Sequence, residues 1–350
     1  MADHIYRSVQ MEYDLINKIN DRVNERFNGD VPPDIQKRIA AETRHIIDGG
    51  HGTLFAAVAS LAEFSADHGY PVGVRGLIGN LYIAHLLGIA VNDPMELGLR
   101  YEGFLGLDGN HAQPVTLNAA SEVLNDLRAH LREILPDCDV LFGPGIPRWK
   151  IIIVPRASGV YDPGNEYLTL TLCPHELMTL GGEVDRRPAG ADDFSEALIL
   201  SAYQGDVTGI PVLDDLDGFR ELANLLEPRS FSDLVKVMGL SLAGKLQFQA
   251  YRTPLLPDRF DHLVGTREDI YDICVQHGIG KDEAFRIMEQ AVRGKLTPEH
   301  RAMLADHGVS NAFLEVLDVA EYLYPRGQMA DYIYWALAVL ARRCRPAGPG

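Results

Sequence analysis

Hydrophobic periodicity changes character a little past the midpoint of the chain, and that change restricts the folds open to it. Residues 151–155 read I-I-I-V-P, a continuous β-branched run of the kind that forms a strand covered on both faces. Residues 167–173 read Y-L-T-L-T-L-C and alternate with period two, the signature of a half-buried strand. From about residue 192 onward the signal is helical almost throughout, over 194–202, 216–226, 232–238, 267–277, 281–293, 298–306, 311–322 and 330–343. Gly, Pro and Asp punctuate these segments. The expected architecture is α/β followed by all-α, with the change of class near residue 190.

The first fifty residues are helical as well. Apolar residues from Ile5 to Phe27 recur at threes and fours and make one stripe on a helix that ends near Asn28 and Gly29. Pro32 and Pro33 open a second helix over 34–47, with Gly49 and Gly50 after its end, and a very apolar third helix follows over 52–67. Further helices are expected over 81–89 and 119–135. The resulting division is an N-terminal helix over 1–29, a mixed domain over 30–190, a helical domain over 191–344 and a short tail over 345–350.

With 350 residues, 46% of them hydrophobic, the chain can bury a substantial core. No run of eighteen apolar residues is present, and residues 1–7 already contain Asp3, His4 and Arg7, so the sequence predicts neither a membrane span nor a signal peptide, and the expected compartment is the cytoplasm. Cys138, Cys173, Cys274 and Cys344 lack C-x-x-C spacing and are expected to be reduced core residues. The formal net charge of −17 argues against strong nonspecific attraction to nucleic acid, which needs a basic surface. Residues 173–176 read C-P-H-E, but Thr179 stands where H-E-x-x-H would need its second histidine. No P-loop and no nucleophile elbow occurs.

Four short motifs, in order, carry a resemblance. Residues 72–79 read V-G-V-R-G-L-I-G, residues 266–270 T-R-E-D-I, residues 293–299 R-G-K-L-T-P-E, and residues 324–332 Y-P-R-G-Q-M-A-D-Y. Together they resemble the C-family bacterial replicative DNA polymerases of the PolC type, with the match starting near Asp34 and leaving the first helix outside it. Residues 101–107 and the 151–155 strand also resemble family segments. The resemblance implies a polymerase-like mixed-sheet palm followed by helical fingers. The family's zinc insert has no room here, and the interval that holds its thumb contains a single expected helix, so the thumb is nearly absent.

What the resemblance implies for chemistry is loss. The family pattern P-D-I-D-L-N-F sets two metal-binding aspartates on one face of a strand; residues 113–119 here place Pro114 and Thr116 at those positions. The third carboxylate, in L-K-L-D, aligns with Gly181 of M-T-L-G. A shifted alignment would offer Asp108 or Glu183 instead. In the glycine motif Gly73, Arg75, Gly76 and Gly79 match, while Val74, Leu77, Asn80 and Leu81 replace the hydroxyl-bearing positions; the motif reads either as a residual nucleotide or anion site or as a tight loop. Arg326 keeps the charge of the family's pocket lysine, but Gln328 replaces the histidine and Asp331 adds an acid. The family's Q-H-P-G-G is here Ile146, Pro147, Arg148, Trp149 and Lys150. Arg267 joins Arg75, Arg148, Lys150 and Arg326 as cations that could line a residual groove, opposed by Asp192, Asp193, Asp214, Asp215 and Asp217.

The expectation is a pseudo-polymerase without catalysis, acting as an interaction or regulatory protein through a protein partner or self-association, with weak or absent nucleic-acid binding, no membrane and no cofactor. Two alternatives stay open: a polymerase or nucleotidyltransferase with relocated Mg ligands, and a nucleotide or nucleic-acid binding module without chemistry.

Overall fold

The computed structural model describes residues 6–108, 112–143, 149–182, 184, 194–216, 218–252, 258–320 and 322–344. The chain separates into two compact units, residues 1–186 and 187–350.

In the first unit, α1 (Val9–Phe27) is capped by Ser8, whose hydroxyl accepts from the Met11 N–H, and it buries Leu15 and Ile19. It is followed by α2 (Pro33–Asp48) and α3 (Gly52–Asp67). Of the stripe read over 5–27, Ile19 is buried and Ile16, Val23 and Phe27 are half-buried, whereas Val9 is exposed; Ile5 lies outside the described residues. Contacts of α1 are chiefly with α3, reinforced by Lys18 and Arg22 pairing with Glu63, so the helix covers a surface of its own unit. The chain then forms β1 (Gly73–Arg75), α4 (Tyr82–Leu86), α5 (Glu102–Leu105), β2 (Val115–Ala119), α6 (Leu124–Ile134), β3 (Cys138–Leu141), β4 (Lys150–Pro155), β5 (Leu168–Pro174) and α7 (Glu176–Gly181).

Two expected helices are shorter than their patterns suggest. The segment 81–89 is helical only across α4, because Gly88 adopts φ +70° and the Ile89 N–H turns back to Ala84 O, a glycine stop. The segment 119–135 begins with the last residue of β2, and its helix starts only at Leu124.

The five strands stand in the order β1-β2-β5-β4-β3, with β2 and β5 parallel and the other neighbours antiparallel. Alternation gives the sheet two unlike faces. Val74, Val115, Leu117, Leu168, Leu170, Leu172, Ile151, Ile153 and Val140 share one face and are buried. The other carries Arg75, Thr116, Thr169, Thr171, Lys150 and Asp139, all exposed or half-buried. On that second face Ile152 and Val154 are buried, so β4 is covered on both sides from Ile151 to Pro155, as its unbroken apolar run demands.

The second unit is helical: α8 (Glu196–Gln204), α9 (Phe219–Leu226), α10 (Phe231–Leu242), α11 (Phe248–Arg252), α12 (Arg267–Gln276), α13 (Lys281–Ala291), α14 (Pro298–Asp306), α15 (Asn311–Val319) and α16 (Arg326–Cys344). Phe219, Leu222, Leu234, Met238, Ile333 and Leu337 are among its buried residues, packed where α10 meets α9 and α16. Two glycines bring the backbone before α12 against α10. A Cβ on Gly265 would sit 2.1 Å from Lys236 O, and one on Gly239 would sit 2.3 Å from Gly265 O. The expected 311–322 helix ends at Val319, whereas the last helix begins at Arg326, four residues before the expected start.

No described helix is long and apolar enough to cross a membrane. The cysteines are unbonded; Cys138, Cys173 and Cys274 are buried, Cys344 exposed. Burial pushes the Cys138 and Cys274 thiols up to about 12, which keeps them protonated and unreactive.

Candidate functional site: one rung of the sheet and a buried ion cluster

The motif residues separate into two groups. In the first unit, Gly73 and Arg75 lie not in a loop but on the edge strand β1, paired with β2: Gly73 faces Asn118, and Arg75 faces Thr116. Gly76 forms the turn that follows, at φ +81°, a conformation that favours glycine. Gly79 is buried in a short 3-10 turn over Ile78–Asn80. The loop reading therefore holds for Gly76 and Gly79 and fails for Gly73 and Arg75.

Behind this turn lies a fully buried carboxylate. Glu42 accepts from the N–H groups of Tyr82 (3.0 Å) and Ile83 (2.9 Å), capping α4, and pairs with Arg38. Arg38 also donates to Asn80 O (2.7 Å) and Leu99 O (3.0 Å) and lies over the Tyr101 ring. Burial pushes the Glu42 carboxyl up, against the opposing pull of Arg38 and the two N–H groups. This pair holds the shape of the chain after the glycine motif.

On β2, Thr116 is flanked by Arg75 on one side and by Thr171 of β5 on the other. Thr171 in turn faces Lys150 of β4. Arg75, Thr116, Thr171 and Lys150 form one rung across four strands, and directly paired residues point to the same face. Pro114 precedes β2, exposed, with the same parity as Thr116. Gly181 is not part of this arrangement. It ends a helix that begins beyond Pro174, the residue opposite Ala119 at the far end of β2 from Pro114. The strand that neighbours β2 contributes Thr171, within L-T-L-T of β5, opposite Thr116. The signal that could have found it was the period-two pattern of 167–173 together with a parallel pairing to β2.

The C-P-H-E segment has a structural explanation. His175 is the N-cap of α7, its Nδ1 accepting from the Leu177 N–H at 3.2 Å, and Thr179 donates to Glu122. Among the described residues no group of three or more His, Cys, Asp or Glu side chains is placed to hold a metal ion. Glu183, Ile146, Pro147, Arg148, Asp192, Asp193 and Asp217 lie outside the described residues. Asp214 and Asp215 accept from the N–H groups of Gly209 and Val212 and so serve local turns.

In the second unit T-R-E-D-I and Y-P-R-G-Q meet. Asp269 completes a capping box with Thr266 and accepts from the Gly265 and Thr266 N–H groups at 2.9 and 2.6 Å. Its other oxygen faces Arg326 (2.9 Å) and Lys236 (3.2 Å). Arg326 also pairs with Asp272 at 2.6 Å, and its N–H, at the start of α16, donates to Glu268 at 2.8 Å. Arg267 is buried and paired with Glu289, its N–H donating to Tyr324 O. A cavity of about 200 Å³ beside Lys236, Asp269, Asp272 and Arg326 is lined by the cluster itself.

Electrostatics follow from these contacts. Burial pushes Asp269 up, but Lys236, Arg326 and the two N–H groups outweigh it and hold the carboxyl below its ordinary value. Arg326 loses to burial and gains more from Asp269, Asp272 and Glu268, so its charge is locked on. Burial raises Glu268 and lowers Arg267. Arg267 and Arg326, expected as residual anion-binding residues, are instead internal ion-pair partners, because carboxylates from α12 and α13 reach them first.

Comparison with known proteins agrees with the motif order. Residues 13–118 match the family described as "Bacterial DNA polymerase III alpha NTPase domain", so the match starts inside α1 and not near Asp34; the first helix belongs to the region of similarity. The "DNA polymerase III PolC-type" of Thermotoga maritima is 22% identical across 97% of this chain and 34% of its own length. That of Bacillus subtilis is 22% identical across 91% and 31%, and that of Mycoplasmopsis pulmonis 29% identical across 34% and 9%. This chain thus spans at most about a third of the relatives it matches. The alignment to the Thermotoga protein runs over 470 positions against 350 residues here, so that relative carries additional segments within the shared span. Over most of its length, the chain is similar, at 22% identity, to PolC-type DNA polymerase III proteins.

Proposed function

We propose that this protein is a non-catalytic derivative of a PolC-type polymerase core that works through interaction with a partner. The first unit corresponds to the palm and the second to fingers. The observation that carries this reading is the rung in the first unit. Two-metal phosphoryl transfer needs anionic oxygens to hold the ions that activate the attacking hydroxyl and stabilise the leaving group. At the positions facing each other on β2 and β5 stand Thr116 and Thr171, and their outer neighbours are cations, Arg75 and Lys150. A neutral hydroxyl is a poor magnesium ligand compared with a carboxylate.

Nucleic-acid affinity is expected to be weak. A formal charge of −17 opposes a phosphate backbone, and two of the cations that would have lined a groove, Arg267 and Arg326, are neutralised internally. Duplex binding should lie near the nonspecific range of about 10⁻⁴ M at physiological salt. The decisive experiment is primer extension with the purified chain, a primed template, all four nucleotides and either Mg²⁺ or Mn²⁺. No extension is expected. Template-dependent incorporation that disappears in Asp108→Asn would establish relocated ligands and overturn the reading.

A further inference from the structure

We infer that the chain pairs with a second copy of itself through α1, which lies parallel to its counterpart in the groove between α1 and α2, so that two copies close a four-helix bundle. The surface shares no residue with the strand rung, and its use does not depend on whether chemistry survives there.

α1 has two apolar faces. Leu15 and Ile19 are buried where the helix packs on α3. About a quarter-turn around the helix, Val9, Tyr13, Ile16, Asn20, Val23 and Phe27 follow one another at alternating spacings of four and three, the heptad repeat that seats one helix on another. None of the six is buried, and Val9 is 82% and Tyr13 60% exposed. Ile16 and Val23 also form one wall of a groove of about 530 Å³, whose other wall is Ile39, Thr43 and Ile47 of α2. The two helices leave an apolar trough between them, wide enough to need a further helix.

Charge and polarity select a second copy as that occupant. The residues beside the seam are Gln10, Asn17 and Asn24, so this arc of α1 carries no charge in a chain of net charge −17; two copies meet there without repulsion, and a charged partner has nothing to pair with. Asn20 stands mid-seam, where a lone asparagine fixes a parallel, in-register dimer by pairing with its counterpart, and among the described residues its side chain has no hydrogen bond. The flanking charges fit the same register. α1 and α2 run antiparallel, joined across 28–32, with Glu12 and Ile47 both against Gly52 at the other end. Counting inward from that end puts Asp14 of an in-register second copy level with Arg44 of the first, and its Asp21 level with Lys37. All four are exposed, and among the described residues Asp21, Lys37 and Arg44 have no ion pair. An antiparallel pairing about Asn20 would carry both acids away from these cations.

Analytical ultracentrifugation of the full chain, from about 1 to 100 µM, tests the pairing. A reversible dimer of twice the 38.7 kDa chain mass is expected. Tyr13→Glu, at an exposed position that the monomer does not need, should weaken it at least tenfold with an unaltered melting temperature. Asp21→Lys and Lys37→Asp should each weaken it several-fold, and the two together should restore it, which a general loss of stability would not do. Orientation is read by cross-linking: Tyr13→Cys in a Cys344→Ser background should give a covalent dimer on oxidation with diamide, because only the parallel register brings residue 13 to its counterpart. A chain that stays monomeric at the highest concentration, leaving the groove to a helix of another protein, would overturn the inference. So would a dimer indifferent to Tyr13→Glu, a charge swap that fails to restore association, or the absence of the cross-link. Primer extension tests the rung separately, and none of these outcomes changes what it reads.

Discussion

Arg75 and Arg326 belong to motifs that look alike in their relation to polymerases, yet the protein treats them in opposite ways. Arg75 projects from an edge strand beside two threonines, with no ion-pair partner among the described residues. Arg326 is clamped by Asp269 and Asp272 and has its N–H taken by Glu268, all from α12. One arginine is available to a ligand and the other is part of the framework. The difference teaches that a conserved-looking cation in a motif says little about recognition until its carboxylate partners are located, and here those partners lie more than fifty residues away in sequence.

The sharpest way to break the contrast is to remove each arginine in turn. Arg326→Ala leaves Asp269 and Glu268 buried with less compensation, and breaking a buried pair from one side costs about 3–5 kcal/mol. Urea unfolding followed by Trp335 fluorescence, in a Trp149→Phe background, reads the second unit alone because the two tryptophans lie one in each unit. A loss under about 1 kcal/mol would show that the cluster is not structural.

Gly265→Ala probes the same region by shape. The added methyl would fall 2.1 Å from Lys236 O, so α10 and the start of α12 must separate, at a cost of about 1–3 kcal/mol and with loosened pairing of Lys236 to Asp269. The same denaturation measurement checks it; an unchanged midpoint would mean that the close approach has slack.

Acid sharpens the comparison further. The folded-state value of Asp269 is depressed, so its contribution is present above the unfolded carboxyl value of about 3.9 and fades as pH falls through the folded value. Asp269→Asn should therefore destabilise strongly at pH 7 and progressively less as the pH falls below about 4. Glu268 works in the other direction, its raised folded value favouring the protonated native state, which is why the difference between wild type and Asp269→Asn, and not the raw stability, is the quantity to follow. A pH-independent difference would contradict the assigned electrostatics.

How much of this was legible beforehand follows the physics of each signal. The helices Gly52–Asp67 and Pro298–Asp306 have the bounds expected from sequence, since apolar content and, for the latter, Thr297 with Pro298 are local signals. The strand Cys138–Leu141 was not expected: four residues are too few to display a period. The face on which Thr169 and Thr171 lie could be read from alternation, but their pairing with β2 could not, because register between strands far apart in sequence is decided by tertiary packing. For Arg326, the positive charge and the helix start were visible, and the neutralising Asp269 and Asp272 were not.

The smallest expected effect completes the comparison. Arg75→Ala removes an exposed side chain that has no ion pair among the described residues from an edge strand, and should change stability by no more than about 0.5 kcal/mol, measured through Trp149 in a Trp335→Phe background. A larger loss would mean that Arg75 has a structural partner.

The central claim is that the rung between β1 and β4 no longer holds divalent ions, and paramagnetic NMR addresses it without reference to activity. With the threonine methyls labelled, Mn²⁺ is titrated to millimolar concentration while the Thr116 and Thr171 resonances are compared with other solvent-accessible threonines. The account predicts no selective broadening of those two methyls. Selective broadening at Thr116 and Thr171, reversed by Mg²⁺, would place a metal site on the rung and contradict it.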